Sequence, residues 1–207
     1  VNYLNTMYEI PKLVADLEED RISFSDFKVY DKQKNLAYGD GKIRHDYLKN
    51  FFLDFNIETD RFLFLDSKAA QNQSFYGTAY GKGYVIIAGD LENIDFYINA
   101  TTLSESNLSI PVAESKEVDQ YNFYRFVNKE DQKQKKSQDF EVKRSPIAVT
   151  MDLELKKTTE LNLILDYEEG DVIKGNGDGK VKITLDHFNE LDIVGKYNIV
   201  DGNYLFS

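Results

Sequence analysis

Apolar and polar positions alternate along most of this chain. Val149, Met151, Leu153 and Leu155 stand on one parity and Thr150, Asp152, Glu154 and Lys156 on the other. Leu161, Leu163 and Leu165 then alternate with Glu160, Asn162 and Asp166. A period of two sends successive side chains to opposite faces of an extended backbone. Each run therefore predicts a strand with one dry and one wet face, the two joined by a turn near Lys157-Thr158-Thr159. The pattern recurs in Val181, Ile183 and Leu185, in Leu191, Ile193, Tyr197 and Ile199, in Phe51, Leu53, Phe55 and Ile57, and in Ile94, Phe96 and Ile98. Leu13, Ala15 and Leu17 fit a strand as well, although Leu13, Val14 and Leu17 also have helical spacing. Residues 128–139 carry no aliphatic side chain and predict a flexible charged loop.

An internal repeat runs through this pattern. Gly39-Asp40-Gly41-Lys42-Ile43 is matched by Gly177-Asp178-Gly179-Lys180-Val181 and more loosely by Tyr80-Gly81-Lys82-Gly83-Tyr84-Val85. A second box follows each: Asp46-Tyr47-Leu48-Lys49, Asp90-Leu91-Glu92-Asn93 and Asp186-His187-Phe188-Asn189. The shared order is glycines, an amphipathic strand, an acidic turn with one apolar residue, and a second amphipathic strand, which predicts a repeated hairpin. The glycines are expected to supply positive φ or a sharp bend, and Leu48, Leu91 and Phe188 to tuck each turn against the dry face.

Composition narrows the reading. The chain has 14 Tyr, 14 Phe and no Trp, a β-favouring set, and 42% hydrophobic against 29% charged residues, enough to fold. Its length suits one large domain or two small ones, and a single domain over 1–207 is expected. The net charge of −11 repels phosphate backbones and argues against nucleic acid as a partner. With no cysteine, disulfides, Cys-ligated zinc and thiol catalysis are excluded. No run is long and apolar enough for a membrane helix, and the start at Val1 has no signal pattern. The strand-like ending Tyr204-Leu205-Phe206-Ser207 suggests a piece of a longer protein whose anchor lies elsewhere.

Candidate chemistry fails residue by residue. Gly175-Asn176-Gly177-Asp178-Gly179 precedes a strand where a dinucleotide fingerprint needs a helix. Gly77-Thr78-Ala79-Tyr80-Gly81-Lys82-Gly83 is one residue short of a phosphate-binding loop and has Gly where the metal-binding hydroxyl belongs. A calcium loop around Asp178-Gly179 would place Lys174 and Leu185 at carboxylate positions. His45 and His187 stand alone, and acidic pairs such as Glu168-Glu169 are ordinary among 36 acids. No catalytic residue, metal site or cofactor is expected, and the chain does not read as an enzyme.

A one-faced sheet must close its dry face: by packing two sheets, by filling a trough with ligand, or by adding a partner's strands. Tyr76-Gly77-Thr78-Ala79-Tyr80-Gly81-Lys82-Gly83-Tyr84-Val85, Ile98-Asn99-Ala100-Thr101-Thr102, Ile110-Pro111-Val112, and the stretch from Gly175 through Gly195-Lys196-Tyr197 to Phe206 resemble the C-terminal region of TamB-type translocation and assembly proteins, in a Bacteroidetes-like form. The resemblance begins at about Phe24. It implies an all-β fold, an elongated curved antiparallel sheet forming an open β-groove (a β-taco) with an apolar concave face. It also implies a periplasmic protein anchored in the inner membrane, active in outer-membrane biogenesis, and working with a TamA-like outer-membrane barrel assembly protein.

On that reading the groove carries phospholipid between the membranes. Its acyl chains would lie on Phe51, Leu53, Phe55, Val85, Ile87, Ile94, Phe96, Ile98, Val149, Met151, Leu153, Leu155, Leu161, Leu163, Leu165, Val181, Ile183, Leu185, Ile193 and Tyr197. The alternative is a scaffold or chaperone for outer-membrane proteins that pairs its open strand edge with the barrel partner or a client. A homodimer of the fragment is a further expectation.

Overall fold

The computed structural model describes residues 6–71, 75–111, 144–166, 170–188 and 190–205, and these form strands joined by turns. The charged segment 128–139 lies outside the described residues. The strands are β1 (Tyr8–Glu9), β2 (Asp16–Leu17), β3 (Arg21–Asp31), β4 (Leu36–Asp46), β5 (Lys49–Ser67), β6 (Tyr76–Asp90), β7 (Asn93–Thr102), β8 (Asn107–Pro111), β9 (Ile147–Leu155), β10 (Glu160–Asp166), β11 (Asp171–Leu185) and β12 (Leu191–Leu205). Strands β3 to β7 form an antiparallel meander, each paired with the next. Short β1 and β2 pair with the outer edge of β3.

Beyond β7 the pairing turns back on itself. β7 pairs with β9 in parallel, β9 with β11 antiparallel, β11 with β10 antiparallel, β10 with β8 in parallel, and β8 returns to β6. The expected open antiparallel groove is therefore corrected: six strands close a ring, and two of its ladders are parallel. The closure has a local cause. β6 pairs with β7 over Gly81–Asp90 and with β8 over Tyr76–Thr78, so two successive strands share its edge on either side of a break at residues 103–106. β11 likewise takes both β9 and β10, on either side of residues 156–159.

Buried hydroxyls stitch the two breaks together. Thr102 Oγ1 and Thr159 Oγ1 lie 2.6 Å apart, and the Lys156 N–H donates to Thr102 Oγ1 at 3.0 Å. The Tyr80 N–H donates to Ser106 Oγ, and the Glu160 N–H to the Ser106 carbonyl, both at 3.0 Å. Thr102, Ser106 and Thr159 are all buried, so without these bonds their polar atoms would lose water and gain nothing.

Two apolar clusters cover one face of the sheet. The larger includes Ile98, Met151, Leu155, Leu161, Val181, Ile183 and Leu185, joined by Leu65, Phe75, Leu108 and Ile110. The smaller, on the outer strands, is Phe27, Val29, Ala37 and Phe62, with Phe24, Phe55, Ile57 and Phe64 against it. Beside it the buried Asp31 carboxylate accepts from the N–H groups of Gln33, Asn35 and Leu63 and from the Asn35 amide, which fixes the β3–β4 turn to β5.

The repeated hairpins are present as β4–β5, β6–β7 and β11–β12, but two details differ from expectation. Gly39 and Gly41 do not supply the positive φ foreseen, although a bulge at Ser25-Asp26 stands opposite them and Gly83 of the matching box does have positive φ. A Cβ on Gly39 would lie 2.3 Å from the Phe27 ring, and one on Gly41 2.1 Å from the Phe55 ring, so these glycines make room for aromatic rings of neighbouring strands. The tip residues Leu48, Leu91 and Phe188 do not tuck inward: they are 67%, 54% and 53% exposed. The β4–β5 and β6–β7 turns have only two loop residues, and Tyr47 and Leu48 both adopt positive φ, the backbone of a tight hairpin loop. In the longer β11–β12 turn, by contrast, Phe188 lies beside the Arg144 guanidinium.

Candidate functional site

Apart from Leu165, the residues read from the sequence as groove lining lie on one face, in cross-strand rows. One row runs Phe55, Ile87, Phe96, Val149, Leu185, and the next Ile57, Val85, Ile98, Met151, Ile183, Ile193. A third brings Leu153 to Val181. Ile98, Val149, Met151, Leu155, Leu161, Val181, Ile183 and Leu185 are buried in the larger cluster, with Val85, Phe96, Leu153, Leu163, Ile193 and Tyr197 partly buried against it. Phe55 joins the smaller cluster, while Phe51, Leu53, Ile87 and Ile94 are half-buried toward the hairpin tips. Leu165 faces solvent. It is the extra residue of the register shift between Ile164 and Asp166, while Ile164, on the opposite parity to Leu163, is itself buried.

These side chains fill the space between them. The cavity among Phe64, Leu65, Phe75, Ile98, Met151, Leu153 and Ile183 has a volume of only about 40 Å³. That is water-sized, far short of the pockets of roughly 300 Å³ and more that hold small molecules. The larger hollows, of about 410 and 790 Å³, are open and lie on the outer, polar face, lined by such residues as Asp152, Glu154, Lys180 and Lys182 or Glu58, Asp60, Arg61 and Lys82. The expectation that the chain carries phospholipid acyl chains in an open hydrophobic groove is thus corrected. The strands close into a ring, and the apolar face is occupied by its own residues. Leu65, Phe75, Leu108 and Ile110 belong to that core too and escaped the sequence reading, although Leu108 and Ile110 alternate with Asn107 and Ser109.

The outer face is held by exposed ion pairs and hydroxyl contacts. Tyr97 donates to Asp152 at 2.7 Å, which raises the Tyr97 pKa by stabilising its protonated form. Lys156 and Thr101 both reach Glu154, whose carboxyl is held below its usual range, chiefly by the Lys156 hydrogen bond. His187 Nδ1 lies 3.0 Å from the Ser145 carbonyl and its Nε2 3.3 Å from Asp95, so it ties the β11–β12 tip to β7 and to the segment entering β9. Among the described residues no group of three or more His, Asp or Glu could hold a metal ion.

The remaining feature is an edge. β12 pairs with β11 along its whole length, from Leu191 opposite Leu185 to Leu205 opposite Val172, and no other described strand pairs with its far side. Tyr197 anchors it: its hydroxyl lies 3.3 Å from the carbonyls of Thr159 and Gly175, and burial raises its pKa. Outward from that anchor Val194, Ile199, Val200, Tyr204 and Leu205 are 47–64% exposed. The strand spans 15 residues and contains no proline. It therefore keeps a full row of backbone donors and acceptors in a form that accepts another strand.

A family model described as the TamB C-terminal domain matches residues 25–207. Among curated proteins and solved structures no match to the chain was found.

Proposed function

We propose, for a chain that belongs to the TamB C-terminal domain family, that it acts as a scaffold in outer-membrane protein assembly. It would do so by offering the free edge of β12 to a strand of a TamA-like barrel partner or of a client. The observation that carries this reading is the 15-residue strand β12, paired on one side only among the described residues. An added strand satisfies the exposed backbone groups and covers the apolar residues beside them, with no catalytic group needed. The proposed setting is the periplasm, in a protein held to the inner membrane by an anchor. Among the described residues no helix is long and apolar enough to cross a membrane.

The test is a proline scan over Val194, Gly195, Lys196 and Tyr197, read by capture of the purified TamA-like barrel. Successive residues of a strand aim their N–H groups at alternate edges, so every second proline removes an outward donor while sparing the ladder to β11. The expected result is loss of capture at those alternate positions with the β circular-dichroism signal kept. Equal capture by all folded variants overturns the proposal.

A further inference from the structure

We infer that the free edge of β12 is self-complementary, and that it pairs antiparallel with the β12 of a second copy of this chain in one register centred on Asn198. The argument starts from the two faces of the strand. Ile193, Gly195, Tyr197 and Ile199 lie opposite Ile183, Val181, Gly179 and Gly177 of β11, and so share the core face. Asp192, Val194, Lys196 and Asn198 take the outer one. Between Ile199 and Asp201 the register with β11 shifts, and Val200 is the extra residue. The alternation therefore restarts: Asp201 opposite Asn176 faces outward, while Gly202 opposite Gly175 and Tyr204 opposite Ile173 face the core.

When this strand is laid antiparallel against a copy of itself, with Asn198 facing Asn198 and Val200 left out on both sides, every pair joins side chains of one face. Tyr197 meets Ile199, Gly195 meets Gly202 and Ile193 meets Tyr204 on the core face. Lys196 meets Asp201 and Val194 meets Asn203 on the outer face. The two-fold axis makes each pair occur twice, so the register holds two Lys196–Asp201 ion pairs and no like charges in opposition. It also covers Ile199 and Tyr204, which are 47% and 53% exposed in the single chain. Without the shift at Val200 the same centre would set Lys196 against Val200 and Asp201 against Gly195. The bulge is what brings the charges into line.

This inference deepens the proposed function and rests, like it, on the edge being free. The second copy masks the edge until a partner strand replaces it. Because the chain has no cysteine, Asn198→Cys places a single thiol on the two-fold axis. Residues directly opposite in an antiparallel pair have Cα atoms about 4.5–5.5 Å apart, within disulfide reach. The expected result is a dimer in sedimentation for the unmodified protein and an intermolecular disulfide in Asn198→Cys on mild oxidation. Asn203→Cys alone should not cross-link, but a mixture of Asn203→Cys with Val194→Cys should.

Lys196→Asp is expected to weaken dimerisation by about tenfold or more, since it sets like charges opposite each other twice. Adding Asp201→Lys should restore it. An unmodified protein that stays monomeric, or cross-linking of Asn203→Cys as efficient as that of Asn198→Cys, overturns the inference. Capture of the barrel protein by the unmodified chain separates the two readings. If it captures the barrel yet stays monomeric, only the dimer falls. If dimers form without capture by either it or the monomeric Lys196→Asp, only the scaffold falls.

Discussion

At Gly41 an added Cβ would lie 2.1 Å from a ring carbon of Phe55, and 2.6 Å from two more. Real Cβ atoms do not approach that closely, so Gly41→Ala forces the ring, or β5 beneath it, to move. Overpacking of this kind costs about 1–3 kcal/mol. We expect Gly41→Ala to lower stability by that amount in urea unfolding, and Phe55→Leu to recover part of it in the double variant, because neighbouring residues are not additive. The same pairing explains why the role of Gly39-Asp40-Gly41 was not legible in the sequence. The ring that needs the glycine comes from another strand, Phe27 over Gly39 and Phe55 over Gly41, and a local motif carries no record of it. Thr102, Ser106 and Thr159 were illegible for the same reason. Each is an ordinary strand-end residue until the two breaks are brought together.

Single strands were far more legible, since alternation sets which face a residue takes. Met151, Ile183 and Ile193 stand in one row as their parity requires. The hairpins also follow the repeated boxes, with an aspartate opening each turn. In the β6–β7 turn Asp90 Oδ1 accepts from the N–H groups of Glu92 and Asn93, at 2.9 and 2.8 Å, and these bonds, with the Glu92 N–H first, hold its carboxyl below the usual range. A carboxylate whose folded pKa is depressed stabilises the fold fully above its unfolded value, and that contribution is lost as pH falls through the folded value. The Tm difference between the unmodified protein and Asp90→Asn should therefore be largest near neutral pH and shrink on acidification below the ordinary carboxylate range. A difference independent of pH would remove the carboxylate's charge from the account of this turn.

Over the whole molecule, alternation says which face is dry but not which strand lies beside which. That is why a ring with two parallel ladders emerged where an open antiparallel groove was expected. The consequence is measurable. With the interior filled to about 40 Å³, phospholipid extracted from detergent-free protein and counted by mass spectrometry should stay well below one molecule per chain. Stoichiometric lipid would require the ring to open.

The parallel ladder between β7 and β9 also orders events in time. The meander from β3 to β7 joins neighbours in sequence, whereas Ile94 and Ile147, partners across that ladder, stand on either side of the whole stretch from Leu103 to Pro146. Distant partners bear a loop-closure cost before their contacts repay it, and so they form late. The order expected is therefore the meander first and the C-terminal strands after it. During synthesis the strands that complete the ring are the last to emerge, and pulsed hydrogen exchange on refolding should protect β3–β5 before β9–β11.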